Sequence, residues 1–595
     1  MEKNIGENEV PYGPERTPWR GLVPECATVS SPAEDPNKCY QAKTPPTVQE
    51  SATGDAFPGI DYDLFQIPPT GLDAEQRDKA LENMRSFLSA HRKHFAGFQT
   101  NQLDQGYASR FSYLLDMHVN NFGDPFDDAI YLCNTKFCER AVLDYFAALW
   151  NAPWPHHEER YWGYVCTMGF TEGNIFAMFK AREYLRGLQI EKPFSTENRR
   201  RPVLFLSEEA HFSLKKAAIL LDIHEFHEAG NVDYPGRCPI TEDGVWPERV
   251  PCHRADDQAS SGTVIIEALT ELVTFFVHQG HPVIVAATVG TTWKGAHDDV
   301  AAINRMFLDL GKVYPWLWER AVQHGVDKTG QPMQENRRGF WLHVDGALGA
   351  AYLPFLEMAC KRGELSDNTP PPIFDFRNPA VMSLGCSMHK WIGGPFPSAV
   401  LLTRKGYQAK SENQWPDVTT LGGSRSGFSP VIFWDYLSRM SYEDSIKKVV
   451  ECDKNVEYLY QQLLDLEAEL GMDLWVARSH HSFTVRFRLA SPGLNHKWNL
   501  DMKRHWVPVS DEEEQLRSYS HVYVMHSVDA SMIHRLLADM RKETLEGGMH
   551  AFPGFDGSIN TPNPGPVRPY RRYKGGDPIK RLVPLENGAV ENDLH

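Results

Sequence analysis

Short apolar runs punctuate the middle of the chain and predict its sheet. Between about residues 160 and 405, runs at 203–206, 283–287, 340–344, 381–384 and 399–402 each end in small or polar residues and give way to helical patterns. Several are rich in β-branched residues, and all are too short for buried helices, so they predict strands covered on both faces. Strands alternating with helices predict an α/β large domain with a mostly parallel sheet. Ligands of such sheets bind beyond the carboxyl ends of the strands. The polar residues that follow each run are therefore where chemistry is sought.

The flanks follow other patterns. A helical period from Asp73 to about Phe98 sets Leu81, Met84 and Leu88 on one face, and residues 110–150 are helical again around the loop Asn120-Asn121-Phe122-Gly123-Asp124-Pro125. A long amphipathic helix over 445–470 stops at Gly471, and strands near 482–487 and 521–525 with a helix near 530–545 complete a small α+β C-terminal domain. The expected organisation is an irregular N-terminal extension (1–57), an N-terminal helical segment (58–158), a ligand-binding large α/β domain (159–435), the small α+β domain (436–546) and an irregular C-terminal tail (547–595). Both ends are too polar or too rich in Pro and Gly to build a core.

Composition narrows the function classes. With 42% apolar and 23% charged residues, the chain has the make-up of a soluble globular protein. No apolar run approaches the roughly 18 residues of a membrane span, and the first ten residues lack the order of a secretory signal, so a cytoplasmic protein is expected. A net charge of −17 disfavours nucleic acid as a partner; the one short basic run, Arg199-Arg200-Arg201, reads as a solvated turn. Ten scattered cysteines include only one loose pair, Cys133 and Cys138. A lone C-x4-C carries no metal site, and free thiols are expected.

Four stretches carry candidate chemistry. Ser387-Met388-His389-Lys390 follows an apolar run. A lysine partly buried there loses proton affinity and can form a Schiff base with an aldehyde, while Ser387 and His389 are natural phosphate ligands. His343-Val344-Asp345-Gly346-Ala347 ends another run in a carboxylate followed by small residues, which leave room for a flat ring. Thr167-Met168-Gly169-Phe170-Thr171-Glu172-Gly173-Asn174 leads into a helical pattern, whose free N–H groups and dipole suit a phosphate. Ser207-Glu208-Glu209-Ala210-His211 places an imidazole after a fourth strand. Each stretch alone has a plain structural alternative: a strand-end lysine, a capping aspartate, a Thr-capped helix, a loop histidine. Their joint order supplies one partner for each part of pyridoxal 5'-phosphate (PLP): phosphate, ring face, ring nitrogen and aldehyde.

Together with Asn120-Asn121-Phe122-Gly123-Asp124-Pro125-Phe126, Gly290-Thr291-Thr292-Trp293-Lys294-Gly295 and Gly423-Ser424-Arg425-Ser426-Gly427, these stretches resemble the PLP-dependent group II amino-acid decarboxylases of fold-type I. The histidine and serine decarboxylase branch is the nearest in pattern, over about residues 98–540. The resemblance implies an aspartate aminotransferase-like large domain and a homodimer with active sites at the interface. It implies that Lys390 binds the cofactor, Asp345 pairs with the pyridinium nitrogen and His211 stacks on the ring. Phe170, Thr171, Ser387 and His389 would hold the phosphate, with Thr291 and Ala347 also at the cofactor, and Gly423 and Ser424 would reach the partner's phosphate. Asn120, Tyr407 and Phe428 fall toward the substrate. Phe170 stands where relatives carry Gly, and Phe428 where the histidine and serine enzymes carry His.

The implied reaction is loss of CO2 from an L-amino acid to give its amine. An apolar wall at Phe428 favours an aromatic substrate (Trp, Tyr or Phe), with histidine the runner-up and a histidine or serine decarboxylase the alternative. Oxidative deamination to an aldehyde or transamination could run on the same site. Intact Lys390, Asp345 and His211 argue against a catalytically dead binding homologue.

Overall fold

A computed structural model describes residues 59–127, 131–152, 161–186, 201–255, 260–326, 329, 331–404, 419–509 and 514–547. All of these belong to one compact unit. The N-terminal extension 1–57, the tail from 548, Arg199, Arg200 and Tyr407 lie outside the described residues.

The strands, in chain order, are β1 (Tyr161–Cys166), β2 (Val203–Leu206), β3 (His224–Glu225), β4 (Val283–Thr288), β5 (Arg320–Val326), β6 (Pro332–Arg337), β7 (Phe340–Asp345), β8 (Val381–Ser387), β9 (Ala399–Arg404), β10 (Thr484–Arg488), β11 (Asp501–Pro508) and β12 (Glu514–Tyr523). A large sheet has the order β1-β9-β8-β7-β4-β2-β3, a small one the order β10-β12-β11, and β5 and β6 form a hairpin. Within the large sheet only β9 runs against its neighbours, β1 and β8; every other pair is parallel. This is the α/β, mostly parallel architecture that the alternation predicts. β1, β8, β7, β4 and β2 therefore all point their carboxyl ends at one edge. In register there, Thr288 of β4 lies opposite Asp345 of β7, which lies opposite Gly385 of β8.

All five predicted strands of the sheet form, because each is apolar over most of its length and buried on both faces. β1 escapes the pattern because Gly163 interrupts an aromatic stretch. That glycine is a packing requirement: a Cβ there would lie 2.3 Å from the Leu401 carbonyl oxygen of β9. β11 escapes because its side chains are mostly polar and half-buried. Lys503 on it lays its ammonium 5.2 Å from the centre of the Trp293 ring and 3.2 Å from Glu209, a partnership set by sequence-distant residues.

Helices cover both faces of the sheet. Phe307 of helix Val300–Val313 stacks on Phe340 of β7 with ring centres 4.2 Å apart. Such fully buried side chains contribute about 1.5–3 kcal/mol each. Helix Tyr442–Leu470 starts earlier than the apolar period alone predicts, since Ser441 and Asp444 form a capping box, and it ends at Gly471 as expected. Helix Ala74–Arg92 is opened by an Asp73–Gln76 capping box but ends short of Phe98. Beyond it, Ala96 donates to the Trp498 carbonyl and accepts from the Tyr523 N–H at 2.8 Å, so the chain is drawn against the small sheet. Leu81, Met84 and Leu88 of this helix are exposed.

Candidate active site

The carboxyl edge of the large sheet gathers the candidate residues. After β1, Thr167–Gly169 turn into helix Phe170–Arg186. The carboxylate of the buried Glu172 accepts from the N–H groups of Thr167 (2.7 Å) and Met168 (2.9 Å), bracing this turn. The first helical turn has N–H groups with no carbonyl inside the helix to meet. Gly169 there takes a left-handed φ of 71°, and a Cβ on it would come within 3.2 Å of Cε1 of His389. The phosphate-type loop and the Ser-x-His-Lys segment are thus brought side by side, as the sequence reading expected.

Lys390 follows β8 in a loop anchored by Asn101, whose N–H donates to the Lys390 carbonyl and whose side-chain amide donates to that of Trp391. Desolvation lowers the Lys390 pKa to about 8, against an opposing pull from the Asp345 charge. His389 is held neutral, its pKa pushed down to about 4 by burial and by the Lys390 charge. Its Nδ1 accepts from the Ser398 N–H at 3.3 Å.

Asp345 ends β7 and is buried. Its Oδ1 accepts from the Ala347 N–H at 3.0 Å and its Oδ2 from the Asn174 amide at 2.8 Å. His211 caps helix Phe212–Leu221, its Nδ1 accepting from the Ser213 N–H at 3.2 Å and lying 2.7 Å from the Ser213 hydroxyl. Burial lowers its proton affinity, and the charges of Asp345 and Lys390 both act on it. Lysine, carboxylate and imidazole therefore form one electrostatic cluster at the ends of β8, β7 and β2.

The Phe170 ring is buried in the core, stacked 6.0 Å from the His343 ring, which leaves its backbone to face a phosphate. Two expectations need correcting. Asn120 uses its amide as a clamp: Nδ2 donates to Ser424 Oγ (3.1 Å) and Oδ1 accepts from the Arg425 N–H (3.1 Å), so it holds the Gly423–Gly427 loop rather than reaching for substrate. Thr291 closes its own turn, Oγ1 accepting from the Ala296 N–H at 3.0 Å. That same clamped loop is locked from beneath by Arg425, buried against Glu139 and bonded to the Gly123 carbonyl at 2.9 Å. Phe428 opens helix Phe428–Arg439 with its ring 5.5 Å from Phe396, which lies beyond Lys390 in the same loop. Asn174, Ser213, His343, Glu172 and Glu139 were given no role from sequence, although all but Glu139 lie within or beside quoted motifs.

No family model matches the chain. It is 39% identical to the solved L-methionine decarboxylase from Streptomyces sp. 590, with a TM-score of 0.75, over 82% of this chain and 99% of that one. The chain belongs to the PLP-dependent group II amino-acid decarboxylases. Curated relatives of this decarboxylase include serine decarboxylase 3 of Oryza sativa subsp. japonica, 28% identical over 76% of this chain and 78% of that protein, and histidine decarboxylase of Solanum lycopersicum, 25% identical over 79% and 89%. The decarboxylase is thus a carboxy-lyase with PLP as its cofactor. Its donor set fits that group: a lysine of lowered pKa, a buried carboxylate, an imidazole beside both, and an anion-suited loop with no side chain at Gly169. Among the described residues no His, Cys, Asp and Glu cluster could hold a metal, and no helix is long and apolar enough to cross a membrane.

Proposed function

We propose that this decarboxylase takes an apolar L-amino acid, L-methionine first, and releases its amine. The observation that carries the reading is the 39% identity to an L-methionine decarboxylase over 99% of that chain, against 28% or less for the serine and histidine enzymes. The Phe428–Phe396 pair supports it, offering apolar surface and no hydrogen bond. The same pair favours a second reading, an aromatic L-amino acid.

PLP supplies the electron sink that lets the bond from Cα to the carboxylate break. Lys390 would hold the cofactor through Nζ, its lowered pKa leaving the amine free to bond an aldehyde. Asp345 would accept from the ring nitrogen and keep it protonated, and His211 would shield the ring from water. Ser387, His389, Thr171 and the Phe170 N–H would hold the phosphate, with Ala347 leaving space for the ring. In a homodimer, Gly423 and Ser424 would serve the partner's phosphate. An apolar groove of about 560 Å³ supports that dimer: Phe111, Met117, Leu132, Phe137 and Trp434 line it, and it is continuous with the clamped loop through Val119. Large exposed apolar surface of this kind marks an interaction face.

The test is kcat/KM for Met, Trp, Tyr, Phe, His and Ser on the wild type and on Phe428→His. Methionine should lead, and the substitution should cut it by roughly tenfold or more while histidine gains, in line with what one apolar contact discriminates. Serine or histidine as the best wild-type substrate would overturn the substrate reading and leave the decarboxylase assignment standing.

A further inference from the structure

We propose that Asn174 is a positioning residue of the decarboxylation site, whose single amide orients Asp345 and, through Ser213, reinforces the His211 tautomer that the Ser213 N–H selects. The proposal rests on the assignment of Asp345 and His211 to the cofactor ring. The motif ending in Asn174 was read for its phosphate; in the folded chain its last residue turns away from the phosphate loop to face β7.

The amide sits at the junction of three chains of hydrogen bonds. Its Nδ2 is 2.8 Å from Asp345 Oδ2 and 2.8 Å from Ser213 Oγ, and its Oδ1 is 2.9 Å from His343 Nε2. His343 Nδ1 is 2.8 Å from Ser383 Oγ, which lies 2.9 Å from Trp341 Nε1. Asn174, Ser213, His343, Ser383 and Trp341 are all buried to 1% exposure or less, so water does not compete for these bonds.

The direction of donation follows from the carboxylate end. An ionised carboxylate only accepts, so Asp345 requires the Nδ2 side of Asn174. Oδ1 then faces His343 Nε2, which must carry the proton. Burial holds His343 neutral, its pKa lowered to about 4, so its Nδ1 accepts, and the Ser383 hydroxyl donates to it. Ser383 Oγ is left to accept from Trp341, whose indole only donates. The donor-only indole is compatible with the amide orientation that the acceptor-only carboxylate demands. With it set, the second Nδ2 hydrogen goes to Ser213 Oγ and the Ser213 hydroxyl donates to His211 Nδ1. The Ser213 N–H and this hydroxyl thus both donate to Nδ1, and the proton of neutral His211 lies on Nε2.

The consequence is electrostatic. Asn174 turns the positive end of its amide toward the site and its negative end toward the core. Removing it makes the site more negative, and the proton affinity of cationic groups there rises. The titratable groups acting with Asp345 are His343 of β7 itself, His211 ahead of helix Phe212–Leu221, and Lys390 after β8.

The experiment is a pH titration of the visible absorbance of the PLP-loaded enzyme, alongside the PLP dissociation constant. Asn174→Ala should move the midpoint up by roughly half a unit or more and weaken PLP roughly tenfold, and Asn174→Asp should move the midpoint further in the same direction. His343→Gln, which still offers an N–H to Asn174 Oδ1, should hold the wild-type midpoint, whereas His343→Leu should shift it. A merely structural role would lower the melting temperature and leave every midpoint in place. A folded Asn174→Ala with the wild-type midpoint and PLP affinity overturns the proposal. If Asn174→Ala does not fold, unchanged midpoints in both Ser213→Ala and His343→Leu overturn it equally. A borohydride-reducible band that persists in Lys390→Ala would instead refute the cofactor assignment, whatever Asn174 does.

Discussion

Lys390 shows how a single residue acquires reactivity from its surroundings. An amine with its ordinary pKa near 10.5 is almost wholly protonated at neutral pH, whereas one lowered to about 8 has a sizeable neutral fraction. Only the neutral amine is a nucleophile toward an aldehyde. The rate at which cofactor-free protein captures PLP should therefore rise with pH through about 8; a stopped-flow profile rising only near 10.5 would contradict the lowered value. Asp345 gives a second residue-scale prediction. Asp345→Asn preserves shape and removes charge, so PLP should still bind while kcat falls by more than about tenfold, or about 1.4 kcal/mol in the barrier. A smaller loss would show that the ring nitrogen has another partner. Both residues were legible in sequence, because a charged residue closing an apolar run is conspicuous. Asn174, His343 and Ser213 were not: a buried asparagine, a strand histidine and a serine become meaningful only through partners up to 171 positions away.

Among the elements, the Gly423–Gly427 loop owes its place to long-range polar contacts. The side chains of Arg425 and Glu139 are exposed by only 1% and 0%, and burial holds them together: the Glu139 charge keeps the Arg425 pKa raised in spite of desolvation. Glu139 also accepts from the Asn121 amide at 2.9 Å and from the Val165 N–H of β1 at 2.9 Å. Breaking a buried pair strands the remaining charge, at a cost of roughly 3–5 kcal/mol. Glu139→Gln should lower stability to denaturant by about that amount, and in the proposed dimer it should weaken PLP as Gly423 and Ser424 lose their anchor. Unchanged unfolding midpoints would show that Arg425 is satisfied by backbone carbonyls alone. The strands of the large sheet were legible because burial on both faces leaves a continuous apolar run. β1 and β11 were not, since one is interrupted by a glycine that β9 requires and the other is polar on both faces.

Across the whole molecule, burial has set many imidazoles well below their ordinary value. His343 is lowered to about 4, and His297 and His521 to about 3, in each case chiefly by desolvation. The unfolded chain therefore binds more protons than the folded one below about pH 6.5, and stability falls as pH falls toward these lowered values. Each histidine contributes up to about 1.4 kcal/mol per pH unit in that window. Glu209 and Glu357, held near 2, add their own loss only below about pH 4.5. Melting temperature should accordingly drop between pH 6.5 and 5, before Glu209 and Glu357 titrate, the three histidines outweighing the opposite contribution of Asp298, whose carboxyl burial raises to about 6; a flat profile across that range would refute the assignment of neutral buried histidines. The chain alone determined the alternation of strands and helices, the edge at which chemistry gathers, and the order of phosphate loop, histidine, aspartate and lysine. Each of these is written in local patterns of burial and charge. Folding decided which way the Asn174 amide points, that Asn120 clamps a loop, that Phe170 packs inward and that Arg425 finds Glu139. Those outcomes depend on which buried donors and acceptors meet, and residues distant in sequence meet only once the sheet has formed.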